Sequence, residues 1–265
     1  MREDFGVTMS SPSMETKLAR LGETQRRDAW WLEILPVLIL FGGFGLYATL
    51  RAFEGKYFAF GPYLSPFYSP LIDPGHHWWK LSPALLILGG PLGFRTTCYY
   101  YRKAYYRAFF LDPPACAVSE SSKRKYTGET SFPFILQNIH RYFLYLAILF
   151  LAFLWYDAGK AFFFPVSQTS SIFGIGLGSL IMLANVILLT LYTFSCHSLR
   201  HVVGGKLDCF SCSTFGPPRH TAWSWLSRLN ERHMLFAWAS LISVGFTDFY
   251  IRMLASGIFK DLRIL

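Results

Sequence analysis

The sequence predicts an all-α fold, an integral membrane bundle of five transmembrane helices. Apolar residues make up 52% of the 265 residues and charged residues only 15%, and the mean hydropathy is +0.30. Soluble domains carry about 25% charged residues. Five apolar runs approach the length of about 20 residues that a helix needs to cross the hydrocarbon core. They are residues 31–50, 78–99, 139–156, 172–192 and 234–253.

The second run is the least regular, because Pro91 and Gly93 interrupt it. Residues 98–110, CYYYRKAYYRAFF, then mix aromatic rings with basic side chains. This mixture is typical of a helix that leaves the hydrocarbon and lies among lipid headgroups. We therefore predict an interfacial extension of the second helix and expect no nucleic-acid partner.

The distribution of basic residues predicts the orientation. The N-terminal tail and the second and fourth loops carry 17 of the 25 Lys and Arg residues. Since basic residues collect on the cytoplasmic side, the N-terminus is predicted inside and the C-terminus outside. Residues 1–30 are then a polar cytoplasmic tail and residues 31–265 the anchor domain, with cytoplasmic loops at 100–132 and 196–232. The net charge of +9 indicates contact with anionic lipid or an acidic protein.

The fourth loop concentrates the soft metal ligands. If the fourth helix continues past its apolar run, His197 and His201 lie one turn apart on one face. Cys209 and Cys212 follow as a C-x-x-C pair, and Cys196 is a reserve thiolate. Two imidazoles and two thiolates suit tetrahedral zinc or a Rieske-type [2Fe–2S] cluster. An unliganded C-x-x-C is the alternative.

Four further polar residues lie near or inside the predicted spans. His140 and His233 have similar predicted depths, as the axial ligands of a haem b require, although each could instead cap a helix end. Asp248 and Arg252 are four residues apart and are expected to form an ion pair.

Several functional classes are excluded. The sequence contains no phosphate-binding loop, no dinucleotide-binding glycine motif and no hydrolase or zinc-protease motif. It also lacks the internal repeats and duplicated halves expected of a secondary transporter. This leaves a membrane anchor that passes electrons between a soluble partner and a lipid-soluble quinone.

Four stretches then resemble a known family, the single-chain, five-helix SdhC-type membrane anchor of bacterial succinate dehydrogenase. The resemblance spans about residues 30 to 260, and it is strongest at residues 94–118, 126–143, 195–212 and 233–257. It implies a multi-pass protein of the bacterial cytoplasmic membrane, with a FAD-containing flavoprotein and an iron–sulfur subunit as partners. It also implies electron transfer to quinone, and it leaves a higher oligomer of the complex open.

The resemblance implies a cofactor as well. Haem-free members hold a Rieske-like cluster in the anchor, whereas more distant anchors carry haem b. On this reading His197, His201, Cys209 and Cys212 are the predicted cluster ligands, while Cys98 and Cys116 are structural. Two alternatives remain, a haem b anchor of another quinone-linked oxidoreductase and a non-redox scaffold with a structural zinc.

The quinone is predicted to bind at the cytoplasmic mouth of the bundle. Hydroxyl, imidazole and guanidinium groups there could donate hydrogen bonds to a quinone carbonyl. The candidate residues are Tyr99, Arg102, His140 and Arg141.

Overall fold

Helices dominate this chain because its long apolar runs must satisfy their backbone hydrogen bonds internally in lipid. The computed structural model describes residues 20–72, 82–120, 130, 132, 134–167 and 170–265. In chain order the helices are α1 (Ile34–Glu54), α2 (Ala84–Ile87), α3 (Gly89–Thr96), α4 (Tyr99–Tyr105), α5 (His140–Lys160), α6 (Leu177–Phe194), α7 (His197–Arg200), α8 (Gly216–Asn230) and α9 (His233–Ala255).

Short elements connect these helices. Two antiparallel hairpins lie at the end of the bundle predicted to face outward, where β1 (Ala59–Phe60) pairs with β2 (Tyr63–Leu64) and β3 (Phe163–Pro165) pairs with β4 (Ser171–Phe173). Single 3₁₀ turns form at Trp30–Glu33, Pro66–Tyr68 and Phe134–Ile139, and π-helical turns follow α4 at Tyr106–Phe110 and α7 at His201–Gly205.

Four helices in the described part of the chain are long and apolar enough to cross a membrane. They are α1 and α5, each with its preceding 3₁₀ turn, and α6 and α9. The second predicted span is not a single long helix. Its described part divides into α2, α3 and α4, and its predicted start at residue 78 lies outside the described residues. The predicted count of five spans is therefore not confirmed. Residues 1–19 of the tail and 121–129 of the second loop also lie outside the described residues.

Helix α9 packs against α6, and α5 packs against both α6 and α3. Glycines bring α3 close to α5. A Cβ added at Gly93 would lie 2.2 Å from the ring of Phe143, and one at Gly90 would lie 2.8 Å from Phe150. The aromatic rings of α5 therefore occupy the space that side chains on α3 would need.

A buried ion network ties α9 to α1 at the end predicted to face outward. Asp248 is fully buried, and one of its carboxylate oxygens accepts hydrogen bonds from Tyr47 at 2.6 Å and from Arg252 at 2.7 Å. Ser65 donates to the other oxygen, and Arg252 also pairs with Glu54 at 3.0 Å. The predicted Asp248–Arg252 ion pair is confirmed. Such a pair is tolerated at membrane depth because each charge has several partners.

Replacing Gly93 with Ala should destabilise the protein, because the new methyl group overlaps the Phe143 ring. Overpacking of this kind costs about 1–3 kcal/mol, so the purified complex should unfold at a temperature several degrees lower. Gly89→Ala is the matched control on the same helix, since a Cβ there meets nothing within 4 Å. An equal loss of thermal stability in both variants would contradict the packing described.

A reporter fused after Leu265 should be found outside the cytoplasm. The basic loops place the N-terminus inside, and four long helices plus the broken segment of α2 and α3 make an odd number of crossings. Paired cytoplasmic and periplasmic reporters would test this. A cytoplasmic C-terminus would show that the segment of α2 and α3 does not cross.

Candidate functional site

Two cysteines occupy matching breaks between helices. Cys98 separates α3 from α4 with φ −68° and ψ 132°, and Cys196 separates α6 from α7 with φ −63° and ψ 133°. These angles are extended rather than helical. The chain therefore turns at each cysteine, and both thiols are buried, with exposures of 2% and 1%.

The residue before each cysteine helps to end the preceding helix. The hydroxyl of Thr97 donates to the carbonyl of Gly93 at 2.7 Å, and the hydroxyl of Ser195 donates to the carbonyl of Tyr192 at 3.0 Å. Side-chain bonds of this kind compete with the helical backbone pattern. The two breaks thus share a hydroxyl residue followed by a cysteine.

Two histidines, each at the start of a long helix, lie against these breaks. His140 is the first residue of α5, and His233 is the first residue of α9. The Nδ1 atom of His140 lies 2.7 Å from Thr97 Oγ1, and the Nδ1 atom of His233 lies 2.7 Å from Ser195 Oγ. The hydroxyl at each break therefore holds one imidazole.

Each histidine faces the thiol of the break whose hydroxyl it does not contact. His140 Nε2 lies 3.3 Å from the Sγ atom of Cys196, and His233 Nε2 lies 3.5 Å from the Sγ atom of Cys98. Each imidazole is thus held by the hydroxyl of one break and faces the thiol of the other. We call these four residues the Cys–His group.

The hydrogen bonds determine the tautomer of both histidines. A hydroxyl has one proton, and the hydroxyls of Thr97 and Ser195 already donate theirs to backbone carbonyls. Each hydroxyl must therefore accept from the Nδ1–H of its histidine. This leaves the lone pair of Nε2 in His140 and His233 directed toward a sulfur, as a metal-binding imidazole with a fixed outer partner requires.

Aromatic rings cover the two imidazoles. Phe94 stacks on His140 with ring centroids 4.9 Å apart, and Tyr192 stacks on His233 at 5.1 Å. Phe94 precedes Cys98 by four residues, and Tyr192 precedes Cys196 by four. The pattern aromatic-x-x-Thr/Ser-Cys thus occurs twice. A five-residue pattern is far shorter than a structural repeat, so it did not stand out in the sequence.

Burial keeps the Cys196 thiol protonated. It raises the pKa of Cys196 to about 11, and the nearby Cys98 thiol acts in the same direction. The two sulfurs are therefore close enough to influence each other. At neutral pH, Cys196 would lose its proton only to a metal that binds the sulfur.

The ligand set predicted from the fourth loop is not assembled. Helix α6 ends at Phe194 instead of continuing, so His197 begins a new helix and His201 begins the π-helical turn. Cys209 and Cys212 are joined to each other in a disulfide. In the described residues, no three His, Cys, Asp or Glu side chains come together as a single metal ion would need.

The predicted quinone residues also separate. His140 belongs to the Cys–His group. Tyr99 is exposed, and the guanidinium of Arg102 lies 5.2 Å from the centre of the Tyr99 ring. Arg141 donates instead to His201 Nδ1 at 2.9 Å. The four candidates therefore do not form one binding surface.

Sequence reasoning missed the main features of the site. It treated Cys98 as structural, kept Cys196 in reserve and considered His233 as a haem ligand or a helix cap. Cys116, also expected to be structural, is exposed and lies 3.5 Å from the guanidinium of Arg107. The repeated aromatic-x-x-Thr/Ser-Cys pattern was the available signal for the two breaks.

The fold and the Cys–His group define a multi-pass membrane subunit with potential metal ligands gathered at one end of its helices. Residues 32–257 match the family model for the actinobacterial succinate dehydrogenase subunit SdhC, and the chain belongs to this family. It is similar to a chain in a solved structure, the Mycobacterium smegmatis Sdh1 complex in the apo form, with 47% identity, a TM-score of 0.80, and coverage of 94% of this chain and 97% of that chain. A search of curated proteins found no match.

Family membership confirms the predicted SdhC-type anchor, its partners and its location. The chain is a membrane subunit of succinate dehydrogenase, whose flavoprotein and iron–sulfur subunits are its partners, together with the membrane and its quinone. It is a multi-pass protein of the bacterial cytoplasmic membrane.

Proposed function

We propose that this subunit relays electrons from the iron–sulfur subunit to membrane quinone through a Rieske-type [2Fe–2S] cluster held by Cys98, Cys196, His140 and His233. The observation that carries the proposal is the position of two buried thiols beside two imidazoles. The unprotonated Nε2 of His140 faces Cys196, and that of His233 faces Cys98. The bound cluster would supply one-electron redox chemistry. The subunit would not oxidise succinate alone.

The donor set fits this cofactor. Rieske-type clusters take two cysteine and two histidine ligands. The Cys–His group supplies two cysteines and two histidines, and no three of these side chains meet at one point as the ligands of a single zinc ion would. A haem b is disfavoured because each Nε2 faces a thiol and not an open gap between imidazoles.

The surrounding residues would position and insulate the cluster. Thr97 and Ser195 orient the histidines, and the rings of Phe94 and Tyr192 shield them from water. Asn230 donates to the carbonyl of Ser195 at 2.7 Å and so attaches the end of α8 to one break. Rigid ligands limit the rearrangement that accompanies each electron transfer.

Quinone would bind beside the Cys–His group. A cavity of about 140 Å³ between α1, α4 and α9 is lined by Tyr100, Lys103 and Trp238 among others. Tyr100 also contacts the ring of His233, with centroids 5.2 Å apart. A quinone ring in this cavity could accept a hydrogen bond from Lys103 within short range of the proposed relay. Tyr99 and Arg102 lie on the same helix but do not line the cavity.

The set of His197, His201, Cys209 and Cys212 remains the alternative ligand hypothesis. It would require reduction of the Cys209–Cys212 disulfide and a rearrangement of α7. The two hypotheses make opposite predictions for cysteine variants.

Replacing Cys98 or Cys196 with Ser, or His140 or His233 with Ala, should abolish the anchor-specific iron–sulfur signal. Electron paramagnetic resonance of the purified complex would measure this signal, and the signals of the partner's clusters should remain. Quinone reduction should be lost, whereas succinate oxidation with a soluble electron acceptor should persist. The controls Cys209→Ser and Cys212→Ser should retain the anchor signal.

Three results would contradict the proposal. Loss of the signal in the Cys209 and Cys212 variants alone would favour the alternative ligand set. Sharp α and Soret bands on reduction would indicate haem b. Zinc without additional iron in the purified complex would indicate a structural metal site.

A further inference from the structure

The Tyr192 side chain contains a buried hydroxyl with no hydrogen-bond partner. Tyr192 is 1% exposed, and its oxygen is one of few buried side-chain polar atoms in the described residues that lack a partner. A buried hydroxyl without a hydrogen-bond partner destabilises the fold, because its lost hydration is not replaced. Phe94, which occupies the matching position at the other break, stacks on its histidine without any hydroxyl. Stacking alone therefore does not explain why residue 192 is Tyr.

The surroundings of this hydroxyl point to the sulfur of Cys98. Besides His233, the titratable groups that interact with Tyr192 include the Cys98 thiol, Tyr101 and the Arg95 guanidinium. Cys98 is also the sulfur that faces His233, on which the Tyr192 ring stacks. The Tyr192 side chain thus interacts with one of the two sulfurs of the Cys–His group, whereas the matching residue Phe94 has no hydroxyl to offer the other.

Arg95 places a positive charge at the same side of the group. Its guanidinium lies over the Tyr192 ring, 4.9 Å from the ring centre, and donates to the hydroxyls of Tyr101 and, at 3.3 Å, Ser240. No carboxylate in the described residues pairs with Arg95. A cation without a counter-ion near the membrane interior is costly, so an anionic neighbour would stabilise it.

We propose that Tyr192 and Arg95 raise the reduction potential of the iron–sulfur cluster held by the Cys–His group, Tyr192 by donating a hydrogen bond to the Cys98 sulfur and Arg95 by its fixed charge. This inference rests on the proposed function. With the cluster bound, one electron from the partner's iron–sulfur subunit would reduce it and make it more negative by one charge, and the electron would then pass to quinone.

The physical reason is the same for both residues. Hydrogen bonds to cluster sulfurs and nearby charge are the main means by which a protein sets the potential of such a cluster. Both interactions are stronger with the more negative, reduced state, and burial increases their effect. Tyr192 and Arg95 are therefore positioning and tuning residues and not ligands.

The test is a redox titration of the anchor-specific signal in the purified complex. Tyr192→Phe keeps the stacked ring and removes only an unpartnered hydroxyl, so folding should be unaffected. We expect the equilibrium constant for one-electron reduction to fall about tenfold, which corresponds to 59 mV. Tyr250→Phe is the control for loss of a buried hydroxyl, because Tyr250 lies near the far end of α9 from His233 and its hydroxyl donates to Asp261 at 2.9 Å; the potential of the cluster should stay unchanged in this variant.

A second pair of variants separates charge from packing. Arg95→Gln should lower the potential, and Arg95→Lys, which keeps the charge, should restore most of it. An unchanged potential in Tyr192→Phe, or an equal shift in Tyr250→Phe, would overturn this inference and leave the proposed function intact. Absence of an anchor-specific signal in the unmodified complex would overturn both.

Discussion

The hydrogen bonds from His140 to Thr97 and from His233 to Ser195 hold the functional end of this subunit together. The first joins the start of α5 to the break after α3, and the second joins the start of α9 to the break after α6. Because each hydroxyl gives its only proton to a backbone carbonyl, both imidazoles are fixed in the same tautomer. The orientation of the ligands thus follows from the way in which α3 and α6 end.

Helix α9 connects this end to the opposite one. It begins with His233 and carries Asp248 and Arg252 about four and about five turns further on, where Tyr47 and Glu54 of α1 pair with them. The axial position of α9 is therefore determined at both ends by polar contacts, while apolar packing along α6 fills the middle. A relay site needs this rigidity, because small displacements of its ligands would change its potential and its rate.

Composition and apolar runs were sufficient to predict a helical membrane protein, since the bilayer imposes length and polarity on every span. The Asp248–Arg252 pair was also predictable, because both residues lie on one helix. The break of the second span was not, since Pro91 and Gly93 indicate irregular structure without showing where the helix turns. The Cys–His group was missed because its members lie on four different segments. Spacing within one loop favoured Cys209 and Cys212, whereas the structure joins positions about 40 to 135 residues apart.

The most direct test of this account is pulsed electron paramagnetic resonance of the reduced, purified complex. The account predicts an anchor-specific cluster coupled to the nitrogens of two histidines, and loss of that signal when either His140 or His233 is replaced. A cluster without nitrogen coupling, or couplings that survive replacement of both histidines, would contradict it.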